Sequence, residues 1–233
     1  MSVTTHERPG VYSEYDASSV VQGRQGRKMV GMAAIHATAP AGVPQTVTSY
    51  EGALIAFGST GGQDMTELIR LALKNGAAGV VAVPVADDEG YEAAFAALAA
   101  MDDIGVVICD SVDREVQQSL RDSAAAASAA RRERIAVAAG GAGETVTELL
   151  ERAKALNSER VVLVAPGGTD EEGKAVSGLS LAAAVAGAIA GTTDPALPLG
   201  GAVLSGLYGL ETTYGDNDLD LLIRGGVTPA ERT

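Results

Sequence analysis

The chain has 233 residues, of which 46% are hydrophobic, and a formal net charge of −13 from 17 basic and 30 acidic side chains. This excess of acid argues against general nucleic-acid binding, which needs a basic face, and the 3% aromatic content argues against a site built on base or sugar stacking. The apolar fraction is sufficient for a buried core in one large or two small domains.

The N-terminus contains a short extended segment that has no partner strand nearby in the sequence. Pro9 and Gly10 oppose a helix, and the composition of residues 11–15 suits a β-strand. An unpaired strand exposes N–H and C=O groups that a second chain can bind. We therefore expect an inter-subunit arm made of Pro9, Gly10, Val11, Tyr12, Ser13, Glu14 and Tyr15.

A small β-containing segment follows the arm. Residues 23–28 are polar and hold a local cluster of positive charge. The pattern then predicts a core strand over 29–37, a short extended stretch over 45–48, and a short helix to residue 55 with Ser49 as its N-cap. A glycine-rich loop spans 58–62.

From about residue 66 to residue 191, apolar runs alternate with helical patterns. Strands are predicted over 79–85, 104–109, 134–139 and 160–165, and helices over 65–75, 91–100, 113–131, 145–156 and 178–190. Gly76 is expected to cap the first of these helices, and Thr145 with Glu148 resembles a capping box. Buried strands that are each followed by a helix indicate an α/β fold, with a parallel or mixed sheet flanked by helices.

The last part of the chain loses this regularity. Residues 211–214 are expected to be extended, a short helix is expected over 218–223 with Asp216 or Asn217 as its cap, and residues 225–229 are expected to run out in a polar end. The predicted organisation is an arm over 1–28, an α/β core over 29–191, and a tail over 192–233 that leads toward a further domain.

Few residues offer metal, covalent or membrane chemistry. The single cysteine, Cys109, lies in an apolar run and is expected to be buried. His6 and His36 lack neighbouring ligands at metal-binding spacing. The apolar stretch at 179–190 is shorter than the roughly 20 residues that span a bilayer. We expect a soluble protein made in the cytoplasm, with no membrane insertion, no cofactor, no metal and no catalytic residues.

Glycine loops after two of the predicted strands support an alternative. Residues 140–143 precede a helix, where a phosphate would meet the helix N-terminus, and residues 166–170 follow the next strand. Neither loop has the dinucleotide or P-loop spacing. Acidic groups at strand ends, such as Asp110, have no histidine beside them to activate a nucleophile. A nucleotide-binding or enzymatic α/β domain remains the competing hypothesis.

Four motifs in order resemble the contractile tail sheath proteins of bacteriophages and related injection systems. They are Pro9-Gly10-Val11-Tyr12, the segment from Val47-Thr48-Ser49-Tyr50-Glu51 to Phe57-Gly58, the Asn75-Gly76 turn that enters a core strand, and, near the other end, the predicted helix at 179–190 followed by residues 195–199 and Gly225-Gly226-Val227-Thr228-Pro229. Each motif is short, so the specificity lies in their order along the chain.

This resemblance implies a structural, non-enzymatic subunit. Copies would form stacked hexameric rings around an inner tail tube protein, with baseplate and terminator proteins as further partners, in a particle assembled in the bacterial cytoplasm. Contraction would drive the tube through a target envelope. Proteins of this family continue beyond the last motif into a further domain and a C-terminal arm, whereas this sequence stops at Thr233.

Overall fold

The computed structural model describes residues 28–192, 194 and 198–232. Its strands are β1 (Met29–Ile35), β2 (Gln45–Val47), β3 (Val80–Val85), β4 (Ile104–Cys109), β5 (Ile135–Ala139), β6 (Val161–Ala165), β7 (Gly168–Thr169), β8 (Ala175–Val176), β9 (Gly209–Leu210) and β10 (Val227–Pro229). Its helices are α1 (Tyr50–Phe57), α2 (Met65–Lys74), α3 (Tyr91–Ala99), α4 (Arg114–Ala129), α5 (Val146–Leu156), α6 (Leu179–Gly191) and α7 (Asp216–Arg224).

A seven-stranded sheet organises the fold, in the order β10-β6-β5-β4-β1-β3-β2. Every neighbouring pair is parallel except β2 with β3, which is antiparallel. The predicted α/β class, with a mixed sheet flanked by helices, is confirmed. Strand β1 lies inside this sheet although the regular alternation in the sequence begins after it, because Val30 pairs with Val80 on one side and Val106 on the other.

Helices cover both faces of the sheet. Helices α1, α2 and α6 lie on one face, and α3, α4, α5 and α7 lie on the other. Alternate side chains of a strand point to opposite faces of the sheet, as strand β5 shows. Val137 and Ala139 point to the first face, and Ala136 and Ala138 point to the second. Both faces are buried, which explains why the strands have apolar runs without polar alternation.

Small residues allow α6 to lie close to α2. A Cβ atom on Gly187 would stand 2.2 Å from the carbonyl oxygen of Ala72, and one on Gly191 would stand 2.7 Å from that of Gly76. Both contacts are with backbone, which cannot rotate away as a side chain can. The glycines in this alanine-rich helix are therefore required by packing.

The predicted N-terminal caps of two helices are present. The Ser49 hydroxyl accepts a hydrogen bond from the Gly52 N–H at 3.1 Å, and Thr145 with Glu148 forms a reciprocal capping box. Helix α7 starts earlier than predicted, at Asp216, and its N-cap is Gly215, so the predicted caps Asp216 and Asn217 were wrong.

The tail contains strands that the sequence did not reveal. Strand β10 pairs in parallel with β6 and forms one edge of the main sheet, where a polar end was predicted. Residues 211–214 are not a strand; β9 precedes them and joins β7 and β8 in a small antiparallel sheet. These strands have two or three residues each, too few to show a period of two.

Candidate functional site

The carboxyl edge of the main sheet is where a fold of this kind binds a ligand. From β1 the chain passes to β3 on one side of it and then to β4 on the other, so the direction of winding changes between β1 and β4. The loops diverge at such a point and leave a crevice that nucleotide-binding proteins use. If the chain were a nucleotide-binding or enzymatic domain, its ligand would be expected in the crevice between β1 and β4.

Asp110 joins the two strand ends across this crevice. Its Oδ2 accepts a hydrogen bond from the Ile35 N–H at 2.8 Å, its Oδ1 accepts one from the Tyr91 hydroxyl, and its own N–H donates to Ala33 at 3.2 Å. Burial raises the pKa of Asp110 and that of Tyr91. The carboxylate acts here as a structural bridge between β1 and β4.

His36, which directly follows β1, uses both ring nitrogens on the backbone. Its Nδ1 accepts hydrogen bonds from the N–H groups of Thr38 and Ala39, at 3.3 and 3.0 Å. This leaves the ring proton on Nε2, which donates to the Phe57 carbonyl at 2.8 Å. His36 holds the loop after β1 and has no nitrogen free for proton transfer or metal binding.

The loop at residues 58–62 wraps around a carboxylate of its own chain. One Asp64 oxygen accepts hydrogen bonds from the N–H groups of Thr60 and Gly61, at 2.6 and 3.1 Å. The other accepts one from the Glu67 N–H at 2.7 Å and so caps α2. Burial opposes the charge, but these amide hydrogen bonds hold the pKa of Asp64 below its ordinary value. An external phosphate would have to displace this carboxylate.

The loop at residues 140–143 also binds a carboxylate of its own chain. The Gly141 N–H donates to the Glu144 carboxylate, and the first turn of α5 is occupied by the capping box of Thr145 and Glu148. A Cβ atom on Gly140 would stand 2.7 Å from a methyl group of Leu149. Glycine is therefore required at position 140 for packing, and the amides of Gly140, Gly141 and Thr145 already have partners within the chain.

Glu144 belongs to a buried network that the sequence analysis missed. Arg152, which is 5% exposed, forms an ion pair with Glu144 and donates to Val112 O at 2.7 Å and to Gln117 Oε1 at 3.0 Å. The Gln117 amide in turn donates to Ala139 O at 2.9 Å. Burial opposes ionisation, yet the hydrogen bond from Arg152 holds the pKa of Glu144 below its ordinary value. The network joins the ends of β4 and β5 to α4 and α5.

The third glycine loop, after β6, is covered by the segment that follows β9. The Glu211 N–H donates to Gly167 O at 2.9 Å, and a Cβ atom on Gly167 would stand 2.3 Å from Glu211 Oε2. The nearby Tyr214 hydroxyl is buried and has no hydrogen-bond partner among the described residues. Burial, followed by the charge of Glu211, raises the pKa of Tyr214 to about 12. All three glycine loops thus face carboxylates of the chain itself, which repel phosphate.

Cys109 is buried as predicted. Burial raises the pKa of its thiol to about 12, and its sulfur lies 3.6 Å from the carbonyl oxygen of Ser111. A thiol held in its neutral form is a poor nucleophile.

Within the described residues, no group of three or more His, Cys, Asp or Glu side chains is placed to hold a metal ion. In the same residues, no helix combines the length and apolar character that crossing a membrane requires.

A hollow lies between the first turns of α3 and α4. It has a volume of about 440 Å³, and its lining residues are Asp88, Glu89, Tyr91, Glu92, Asp113, Glu115, Val116 and Ser119. A smaller hollow of about 260 Å³ lies at the amino end of β6, between α5 and Gly225-Gly226. The larger one has an aromatic and aliphatic floor and an acidic rim, which suits a basic peptide better than a nucleotide.

Exposed apolar side chains offer further contact surfaces. On α1, Tyr50 and Leu54 are partly exposed and Ile55 is 87% exposed, while Leu221 and Ile223 protrude from α7. Exposed aliphatic groups on neighbouring positions of one helix favour contact with another protein. The arm predicted over residues 9–15 lies outside the described residues.

No protein-family model matches this sequence, and neither does any curated protein sequence. Solved structures do match. The helical sheath of the anti-feeding prophage in its contracted state is 20% identical, with a TM-score of 0.65 over 98% of this chain and 65% of that one. A sheath tail protein of Desulfitobacterium hafniense is 13% identical, with a TM-score of 0.72 over 96% of this chain and 72% of that one.

A sheath tail protein of Listeria innocua is 11% identical, with a TM-score of 0.67 over 93% of this chain and 68% of that one. The chain spans 65% of the length of the anti-feeding prophage protein. The structural neighbours are tail sheath proteins, and the fold implied by the sequence motifs is confirmed.

Proposed function

We propose that this chain is a structural subunit of a contractile tail sheath. It polymerises as stacked hexameric rings around an inner tube, in a tail or injection particle assembled in the bacterial cytoplasm. Contraction of the rings drives the tube through a target envelope. The observation that carries this proposal is the match of nearly the whole chain to the anti-feeding prophage sheath in its contracted state.

The carboxyl edge of the sheet supports the same proposal. The crevice between β1 and β4 is bridged by Asp110, and the glycine loops face Asp64, Glu144 and Glu211. Asp64 and Glu144 accept hydrogen bonds from amides of these loops, and Glu211 places a further carboxylate beside Gly167. The α/β body, with exposed apolar side chains on α1 and α7, suits a subunit that is connected to its neighbours by arms.

The arm is part of this proposal. Residues Pro9 to Tyr15 contribute an edge strand to a neighbouring subunit, and contacts with the inner tube, the baseplate and the terminator complete the assembly. Deletion of residues 1–20 should leave soluble monomers under conditions in which the undeleted protein polymerises. Sheaths of normal appearance after that deletion would exclude this role for the arm.

Electron microscopy tests the proposal directly. The natural gene product, expressed and concentrated, should form hollow striated tubes in negative stain. A monodisperse monomer or dimer at every concentration would refute self-assembly into a sheath. A thermal-shift screen with nucleotides and metabolites tests the enzymatic alternative, since a ligand that binds the native state raises the melting temperature, whereas a sheath subunit should show no shift.

A further inference from the structure

The larger hollow, between the first turns of α3 and α4, has an acidic rim whose charges are not neutralised. Asp88, Glu89, Glu92 and Glu115 are exposed, and within the described part of the chain none of them forms an ion pair. Carboxylates elsewhere do find partners: Glu67, Asp102, Glu133 and Glu144 each pair with an arginine.

Helix capping explains only part of this concentration of acid. Asp113 caps α4 by accepting the N–H groups of Glu115 and Val116, and Asp87 caps the 3₁₀ turn before α3. The remaining four carboxylates accept no hydrogen bond from the described residues. Arg114, the cation beside them in sequence, acts electrostatically on Glu144 and Glu148 of the neighbouring loop and helix.

The floor of the hollow is formed by an aromatic and an aliphatic residue, and an exposed aliphatic side chain lies on the same face of the sheet. Tyr91 and Val116 line the hollow and are 2% and 9% exposed, while Ile35 is 46% exposed. Ile35 shares the face of Ala33, which packs with Tyr91, because side chains two positions apart on a strand point the same way. An apolar floor within an acidic rim is typical of a surface that binds a basic segment of a protein.

The chain itself contains a segment with the complementary chemistry. Residues 17–28 carry three positive charges, on Arg24, Arg27 and Lys28, and no negative one. Val20 and Val21 lie in the same segment, with glycines at 23 and 26 that let it follow a groove.

The complete segment cannot lie in the hollow of its own subunit, because its last residue is held at the other edge of the sheet. Lys28 is held at the amino end of β1, where its N–H donates to Ala190 O at 3.0 Å. The hollow lies at the carboxyl end, and the seven residues of β1 advance roughly 20 Å between the two edges. Lys28, one of the three cations of the segment, is therefore fixed at the edge opposite to the hollow.

We propose that the hollow between α3 and α4 is an inter-subunit contact that binds the basic segment, residues 17–28, of a second copy of this chain. The contact is head to tail, with the amino edge of one sheet meeting the carboxyl edge of the next. A head-to-tail contact uses two different surfaces and therefore builds rings or helices. Its place within a sheath rests on the function proposed above.

A labelled peptide of residues 17–28 tests the contact separately from polymerisation. It should bind the full chain, and the affinity should fall as salt rises because exposed charges are screened. A hollow variant with Asp88→Asn, Glu92→Gln and Glu115→Gln should bind it about tenfold more weakly or worse. A control variant with Asp216→Asn, Asp218→Asn and Glu51→Gln also loses three carboxylates from first helical turns and should bind as the wild type does.

Equal binding of the peptide to the wild type and the hollow variant, or equal weakening in the control, would overturn the proposal. So would the absence of binding, even if the protein forms striated tubes, in which case the sheath function stands and only this contact fails. If the peptide binds through the hollow but the protein never forms tubes, the contact stands and the proposed sheath function fails.

Full-length variants test the contact within the assembly. Reversal of the hollow, with Asp88→Arg, Glu92→Arg and Glu115→Arg, should abolish tubes, and so should reversal of Arg24, Arg27 and Lys28 to Glu. An equimolar mixture of the two reversed proteins should restore association, because each supplies the surface that the other now matches. Circular dichroism establishes that both are folded, and folded proteins that fail to associate in the mixture would count against the contact.

Discussion

The contact between α2 and α6 depends on the absence of one side chain, and Gly187→Ala perturbs it directly. The new Cβ would lie 2.2 Å from the Ala72 carbonyl oxygen and 2.9 Å from its carbonyl carbon, whereas ordinary contact begins at 3.4 Å. Helix α6 must therefore move by about 1.2 Å, since the opposing atoms are backbone.

The expected cost combines two opposing effects. Overpacking of this kind costs up to about 3 kcal/mol, and replacing glycine by alanine within a helix returns about 1 kcal/mol. We expect a net loss of about 2 kcal/mol in the free energy of unfolding, or roughly 4–8 °C in melting temperature for a chain of this size.

Urea denaturation followed by circular dichroism measures this loss, with Ala188→Gly in the same helix as the matched control. Ala188 is half-buried, and its replacement should cost about 1 kcal/mol through helix propensity without any clash. If propensity alone governed α6, Gly187→Ala would stabilise the protein. A Gly187→Ala variant as stable as the wild type, or more so, would refute the packing argument.

Three further predictions concern buried groups. Arg152→Met should cost about 3–5 kcal/mol in unfolding free energy, because it leaves the Glu144 carboxylate without its cation. The control Arg160→Met breaks a more exposed pair with Glu133 and should cost less than about 1 kcal/mol. Equal losses in the two variants would contradict the role of burial. The pKa of Glu144 is lower in the folded chain than its ordinary value of 4.5, so its contribution to the free energy of unfolding is complete above pH 4.5 and is lost as the pH falls through the folded pKa. Glu144→Gln should therefore make the free energy of unfolding less dependent on pH in this range. An unchanged pH dependence would count against the network. Cys109 should react with a thiol reagent at pH 8 only after unfolding, because burial raises its pKa to about 12, and rapid modification of the native protein would show that the site opens.

Local signals in the sequence were sufficient for most elements. Apolar runs identified β3 to β6, and the Ser49 cap and the capping box of Thr145 and Glu148 marked the starts of α1 and α5. Each of these signals lies within a few neighbouring positions of the sequence, so it can be read before any tertiary contact is known.

Interactions between distant segments could not be found in this way. Asp110 contacts Ile35 across 75 positions, and Arg152 contacts Val112 across 40. In the sequence, Asp110 was noted only as an acidic group at a strand end, and Arg152 was not singled out. Only the tertiary structure shows that Asp110 is partly buried between two strand ends and that Arg152 is buried, so that both serve the fold.

The sequence by itself determined the α/β class, the order of the main helices and strands, and the acidic composition that argues against nucleic-acid binding. The tertiary structure decided that β1 lies inside the sheet, that β10 closes one edge of it, and that the glycine loops face Asp64, Glu144 and Glu211. Helix and strand periodicity depends on residues that are close together in the sequence. The order of the strands, and the side chain that each glycine loop faces, depend on how the folded chain brings its segments together.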